Sequence, residues 1–205
     1  KNSELCNEFL ENIQNYSIKK NNLIQNLNNS NGKVLIYSEY IKGNYAGNNL
    51  LAIVLEYYGY VRKIVSKNNI IVQNICNDIK SKVKGYYVVV DGSTKEEVFT
   101  FYKEQYNLSN NINGNMIKII IGTTNMIEGV SLNNVRQIHI MQPWYNISRN
   151  EQIVGRGVRQ CSHINLDFNL RNVTIFNYVA ISEQLEFNDK SQSFIVPYFK
   201  NTRLM

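Results

Sequence analysis

The chain has 205 residues, 43% of them hydrophobic and 19% charged, which is enough apolar side chain for a buried core and excludes a chain disordered throughout. Its formal net charge is +6 at pH 7, a moderate basic excess that suits a polyanion such as nucleic acid without requiring one. Cys6, Cys76 and Cys161 are odd in number and widely spaced, no CxxC occurs and no apolar run approaches membrane-spanning length, so a disulfide framework, a zinc site and a membrane partner are all disfavoured, and an intracellular, reducing setting is expected.

Residues 1–30 read as a helical lead-in. Apolar positions recur at Leu5, Phe9 and Ile13, then at Leu23, Ile24 and Leu27, which predicts two helices broken near Ser17, whose hydroxyl suits the cap of the second. A turn over Asn28 to Gly32 leads to Val34-Leu35-Ile36-Tyr37, a buried parallel strand ending at Ser38. Gly47 to Tyr58 carries Leu50, Leu51, Val54 and Leu55 at helix spacing. Residues 60–84 are mostly polar and read as an insertion, with Ile70-Ile71-Val72 as a short strand. Tyr86 to Val90 is a second buried strand, passing through Asp91-Gly92-Ser93-Thr94 into a helix over 94–106. Strands over Ile117–Ile121, Gln137–Met141 and Val173–Val179 follow, with one helical turn at Met126–Glu128 and a helix at about 149–160. Strands alternating with helices predict an α/β, three-layer domain with a mostly parallel sheet over 31–181, and a C-terminal extension over 182–205. In such sheets the chemistry sits at the carboxyl ends of the strands.

The segment Asn150 to His163, NEQIVGRGVRQCSH, carries the strongest chemical signal. Ser148 followed three residues later by Glu151 is a capping box that should start a helix. Gln152, Arg156 and Arg159 then fall on one face of it, and Ile153, Val154 and Val158 on the other. Gly155 and Gly157 flank Arg156 and leave its surroundings uncrowded. An amide and two fork-shaped guanidiniums on an anchored helix suit phosphate, although spacing alone fits a solvated basic face equally well.

QIVGRGVR resembles motif VI of superfamily 2 helicases, QxxGRxxR, with Gln152, Gly155, Arg156 and Arg159 matching it. The resemblance implies a RecA-like domain in which Arg159 and Arg156 are arginine fingers toward the γ-phosphate, Gln152 orients water or phosphate, and Gly155 lies by the nucleotide. Residues 119–132, IIIGTTNMIEGVSL, resemble motif V, implying phosphate contacts from Thr123 and Thr124, close backbone approach at Gly129, and Ser131 near the ATP ribose where many members have Asp or Asn. VLIYSEY resembles motif IV, with Ser38 at the strand end. VVDGSTKEEVF is similar to the family's glycine-hydroxyl segment, with Gly92 and Ser93 at a capping box completed by Glu96 and Val98 where Arg is usual. A helix start beside Gly92 suits a phosphate.

These matches occur in the order of the family, on strands of one sheet, and agreement across levels outweighs any one of them. QPWYN before the helix and CSH after it resemble the nucleoside triphosphate phosphohydrolase and early-transcription-factor helicases of poxviruses and other large DNA viruses. The implied partners are a first RecA-like lobe of the same polypeptide, a DNA or RNA backbone, and viral transcription or replication proteins. The implied setting is a cytoplasmic virus factory or the virion. No GxxxxGK[ST] and no DEXH-type pair occurs, so ATP and Mg2+ would be held mainly by that first lobe, and this chain alone should be inactive. The start at Lys1 reads as a piece of a longer chain. Trp144 is expected to pack, and His139 to be a core or edge histidine. His163 is placed either within the motif VI loop or on the surface. The competing reading is a RecA-like docking module without catalysis.

Overall fold

Two short apolar runs decide the centre of the sheet. Every residue of β1 (Lys33–Tyr37) and of β5 (Ile119–Gly122) is buried, as strands covered on both faces must be. In the computed structural model the described residues are 8–39, 47–66, 69–72, 83–123, 130–144, 146–179 and 203–204. β1 and β5 pair in parallel, from Val34 opposite Ile119 to Tyr37 opposite Gly122. β6 (Val135–Ile140) lies on the other side of β1 and β4 (Gly85–Val90) beside β5. β2 (Tyr60–Ser66) pairs with β4, and β7 (Val173–Asn177) with β6. All these pairings are parallel. β3 (Asn69–Val72) and β8 (Arg203–Leu204) close the two edges antiparallel, giving the order β3-β2-β4-β5-β1-β6-β7-β8.

Alternation along β1 feeds two cores, because successive side chains point to opposite faces. Val34 and Ile36 join Leu23, Ile24 and Leu27 of α2 (Ile18–Asn28) and Leu51, Val54 and Leu55 of α3 (Gly47–Tyr57). Leu35 and Tyr37 join Tyr102 and Tyr106 of α4 (Glu96–Asn107) and Ile153 of α5 (Ile147–Gly157). The result is helix, sheet, helix in three layers. Before α2 stands the short α1 (Ile13–Tyr16), and Ser17 between them is extended. The Ser17 hydroxyl accepts from Lys20 N at 3.4 Å, capping α2 as expected.

Several boundaries differ from the expectation. Residues 60–66, read as part of an insertion, form β2, because Tyr60 and Val61 are buried at the sheet. The strand expected to run to Val179 stops at Asn177. α4 starts at Glu96, not Thr94, and Ser93 does not cap it: Lys95 is the N-cap residue and contributes no side-chain bond. Ser93 is instead drawn into a turn closed by Asp91, whose carboxylate accepts from Ser93 N and Ser93 Oγ at 2.9 and 2.6 Å. The turn expected at Met126–Glu128, and the extension 182–205 apart from Arg203–Leu204, lie outside the described residues.

The helices run back antiparallel to the strands, so their C-terminal carbonyls gather at the amino edge of the sheet. Basic side chains answer that negative end. Lys118 Nζ donates to Ser30 O at 3.0 Å, and Lys84 Nζ to Asn28 Oδ1 at 2.8 Å. His139 is a core residue. Its Nε2 donates to Gln137 Oε1 at 3.0 Å, because an amide oxygen only accepts, and its Nδ1 accepts from Tyr178 Oη at 2.8 Å. Asn26 of α2 completes the network by donating to Tyr178 Oη at 3.0 Å.

Candidate nucleotide and nucleic-acid site

Parallel pairing sets the carboxyl ends of β4, β5, β1 and β6 in a row. Val90 and Tyr37 both lie opposite Gly122, and Tyr37 lies opposite Ile140. The next residue of each strand, Asp91, Thr123, Ser38 and Met141, therefore stands on the same edge. Ser38 N donates to Gly122 O at 3.1 Å and Met141 N to Tyr37 O at 2.9 Å. Ser38 and Thr123 are buried, while Gly92 and Ser93 are exposed. No atom comes within 4 Å of a Cβ built on Gly92, so the edge is open there. Thr124 and Gly129 lie outside the described residues.

The Asp91 loop carries its own negative charge. Burial raises the Asp91 carboxyl pKa, but hydrogen bonds from Ser93 and Thr94 outweigh this and hold it below its ordinary value. The Ser93 hydroxyl proton points at Asp91, and Glu96 and Glu97 occupy the first turn of α4. An anion at this helix start meets three carboxylates, whereas no carboxylate is bonded to the Ser38 or Thr123 side chain among the described residues.

α5 begins one residue before Ser148. Asn146 is the N-cap and its Oδ1 accepts from Ser148 N at 2.9 Å, so the expected Ser148–Glu151 capping box is not used. Asn150 reaches back around the start of the helix: its Oδ1 accepts from Trp144 N at 3.2 Å and its Nδ2 donates to Trp144 O at 3.3 Å. The Arg149 guanidinium lies 3.9 Å from the Trp144 ring centroid, so Trp144 packs as expected and fixes where α5 starts.

Ile153 and Gly157 are buried toward the sheet. A Cβ on Gly157 would stand 3.1 Å from Ile138 Cδ1 and 3.2 Å from Val135 Cβ, so this glycine is a close helix–strand contact and does not open space around Arg156. Gly155 is the open one, with nothing within 4 Å of its Cβ position. On the outward face Gln152 is exposed and Arg156 half-buried. Among the described residues neither side chain has a hydrogen-bond partner.

Arg159 does not continue that face. α5 ends at Gly157, with Val158 as its C-cap. Arg159 is exposed just beyond, and its Nε donates back to Gly155 O at 3.1 Å. Its Nη1 donates to Ser131 Oγ. The Ser131 oxygen expected beside a ribose is thus engaged by Arg159. The motif V segment is sewn to the helix end by Leu132 N, which donates to Arg156 O at 2.9 Å.

Residues that no motif marks complete the arrangement. Asn107, the last residue of α4, donates to Ser131 O at 2.9 Å and accepts from Asn133 N at 2.8 Å. His163 is buried in the motif VI loop: its Nε2 donates to Val135 O at 2.6 Å and its Nδ1 faces Ser162 Oγ at 2.7 Å. Burial, with the charges of Arg136 and Lys33, lowers its pKa despite the bond to Val135. Only the amide type of Asn107 at a helix end hinted at a capping role in the sequence.

The donor set suits phosphate oxygens: two guanidiniums and an amide, with no carboxylate bonded to them among the described residues. It does not suit Mg2+, which needs oxygen ligands. Among the described residues no group of three His, Cys, Asp or Glu side chains could hold a metal ion. No helix among them is long and apolar enough to cross a membrane.

Comparison with known proteins agrees with this fold. The helicase conserved C-terminal domain family matches residues 18–161. The chain is 29% identical over 180 residues to the putative ATP-dependent RNA helicase R563 of Acanthamoeba polyphaga mimivirus, covering 86% of this chain and 28% of that protein. It is 32% identical over 161 residues to the putative ATP-dependent RNA helicase R350 of the same virus, covering 78% of this chain and 18% of that one. The termination factor NPH-I homolog of African swine fever virus is 26% identical over 187 residues, covering 80% of this chain and 26% of that protein. The chain therefore spans little more than a quarter of these relatives at most. Among solved structures, the C-terminal part of the Fun30 ATPase domain shares the fold, with a TM-score of 0.52 at 18% identity, over 85% of this chain and 47% of that one.

Proposed function

This chain belongs to the helicase conserved C-terminal domain family, and from that premise we propose that it is the second motor lobe of an ATP-dependent helicase or translocase acting on DNA or RNA. The observation that supports this most directly is α5, which holds Gln152 and Arg156 outward from an anchored back, with Arg159 just past the helix end and bonded back to Gly155 O. Arg156 and Arg159 serve as arginine fingers on ATP held mainly, with its Mg2+, by a first lobe of the same polypeptide. Such a finger is worth about 10³–10⁵ in rate in related phosphoryl-transfer systems. Gln152 orients the attacking water or the terminal phosphate, and Gly155 leaves room for close approach.

On the carboxyl edge, Ser38, Thr123 and Thr124 hold backbone phosphates, with Gly92 giving access and Ser93 joining when its hydroxyl turns away from Asp91. Phosphate contacts of this kind set register and carry little sequence information. Closing and opening the cleft between the lobes couples hydrolysis to movement along the strand. Similarity to a viral putative ATP-dependent RNA helicase and to a viral termination factor homolog supports a setting in viral transcription.

The test is ATP hydrolysis by the intact protein, with and without single-stranded DNA and RNA, for wild type and Arg159→Ala. A rate that nucleic acid stimulates and that falls at least a hundredfold in the variant supports a two-lobe motor and identifies its track. A rate indifferent to Arg159 leaves the alternative, a docking module without catalysis.

A further inference from the structure

Arginine is useful at a phosphate only if its fork is aimed, since the side chain has many rotamers and aiming it costs entropy. Arg159 lies past the end of α5, so helical periodicity does not aim it. Two acceptors do. Gly155 O takes Nε at 3.1 Å, and Ser131 Oγ takes one N–H of Nη1. A guanidinium has five N–H groups, so these two bonds fix its plane and leave the remaining ones facing outward.

The second acceptor is itself built in. Asn107 Nδ2 donates to Ser131 O at 2.9 Å, and Asn107 Oδ1 accepts from Asn133 N at 2.8 Å, so one side chain clamps both sides of Leu132. Leu132 is buried, and its N–H is bonded to Arg156 O at 2.9 Å. The hydroxyl that meets Arg159 therefore sits on backbone fixed from α4 and from α5 at once.

We propose that Ser131 is a positioning residue for Arg159, with Asn107 as its support: the hydroxyl aims the finger instead of contacting the nucleotide. This rests on the reading of Arg159 as a finger. A group locked in its working geometry acts without reorganising during the reaction. The hydroxyl is then worth part of the effect of Arg159 and nothing without it.

The experiment is steady-state ATP hydrolysis by the intact protein under saturating nucleic acid, comparing wild type, Ser131→Ala, Ser131→Thr, Arg159→Ala and the Ser131→Ala/Arg159→Ala double variant, with melting temperatures for each. The expected result is a fall in kcat of about tenfold in Ser131→Ala with KM unchanged, the loss of one bond to a charged group. Ser131→Thr, which keeps an acceptor, restores most of the rate. In the Arg159→Ala background Ser131→Ala adds no further loss, as coupled positions require. An equal loss in both backgrounds, a raised KM with kcat intact, or no loss in Ser131→Ala while Arg159→Ala is slow overturns this inference alone. An Arg159→Ala protein as fast as wild type overturns the finger reading and this inference together.

Discussion

Lys33 Nζ, fully buried at the start of β1, donates a 2.7 Å hydrogen bond to the carbonyl of Tyr106 and lies 4.3 Å from the centroid of that residue's ring. The contact ties the end of α4 to the central strand, one residue position before the β1 core begins to alternate between the faces. Its energetics depend on pH. Burial lowers the Lys33 amine from its ordinary 10.5 to about 7. Between those values the unfolded chain keeps a proton that the native state has released, so stability rises with pH across that window. Below about 7 both states are protonated and the cost of the buried charge is felt in full. The urea midpoint is expected to be higher at about pH 9 than at about pH 7. Lys33→Met should remove most of the difference, because Tyr106 O keeps Asn111 Nδ2 at 3.0 Å. A midpoint equally pH-dependent in Lys33→Met would assign the effect to another group.

His139 gives a second pH dependence, on the acid side. Burial lowers its pKa from 6.5 to about 3. As pH falls through 6.5 the unfolded state takes up a proton that the native state refuses, so stability is lost progressively down to about 3. His139→Phe is expected to flatten this acid slope. At neutral pH it should cost about 1–3 kcal/mol, since Gln137 Oε1 loses its donor and the Tyr178 hydroxyl loses its acceptor, keeping only the bond it accepts from Asn26. Chemical denaturation at about pH 5 and pH 7.5 checks both statements, and an unchanged acid slope in the variant would rule His139 out as the source.

The two glycines of α5 should respond to alanine with opposite signs. Gly157→Ala drives a methyl against Ile138 and Val135 at 3.1–3.2 Å, and overpacking of this kind costs about 1–3 kcal/mol. Gly155→Ala meets open space inside a helix and should stabilise by up to about 1 kcal/mol. If Gly155 also borders the nucleotide, the stabilised variant hydrolyses ATP more slowly. Urea midpoints of the two variants decide the first point; equal shifts would mean that α5 does not sit on β6 as described.

Ser38→Ala and Thr123→Val remove one hydroxyl each from the carboxyl edge without changing charge. Each is expected to weaken binding of single strands about three- to tenfold, equally for all base sequences, as loss of a phosphate contact should. Fluorescence anisotropy with several oligonucleotides measures this. Losses confined to one base composition would point to base contacts instead, and no loss would move the strand away from this edge.

The class of the fold and the local parts of the candidate site are legible in the order of residues alone. Val34–Tyr37 and Ile119–Ile121 announce buried parallel strands because runs covered on both faces need no polar side. The Gln152, Gly155 and Arg156 spacing survives in the structure because it falls within one helix. Where that helix stops depends on packing between distant segments. Gly157 is pressed onto β6 and Arg156 O is taken by Leu132 N, so α5 ends and Arg159 leaves the face that periodicity had assigned to it. Asn146 in place of Ser148 as the cap, and Asp91 capturing Ser93, are competitions between neighbouring polar groups that residue type leaves open. The partners of Arg159 were illegible for the same physical reason. Ser131 meets it, and Asn107 in turn holds Ser131, through contacts between segments distant along the chain, and such contacts exist only once the sheet has brought α4 and α5 to one face.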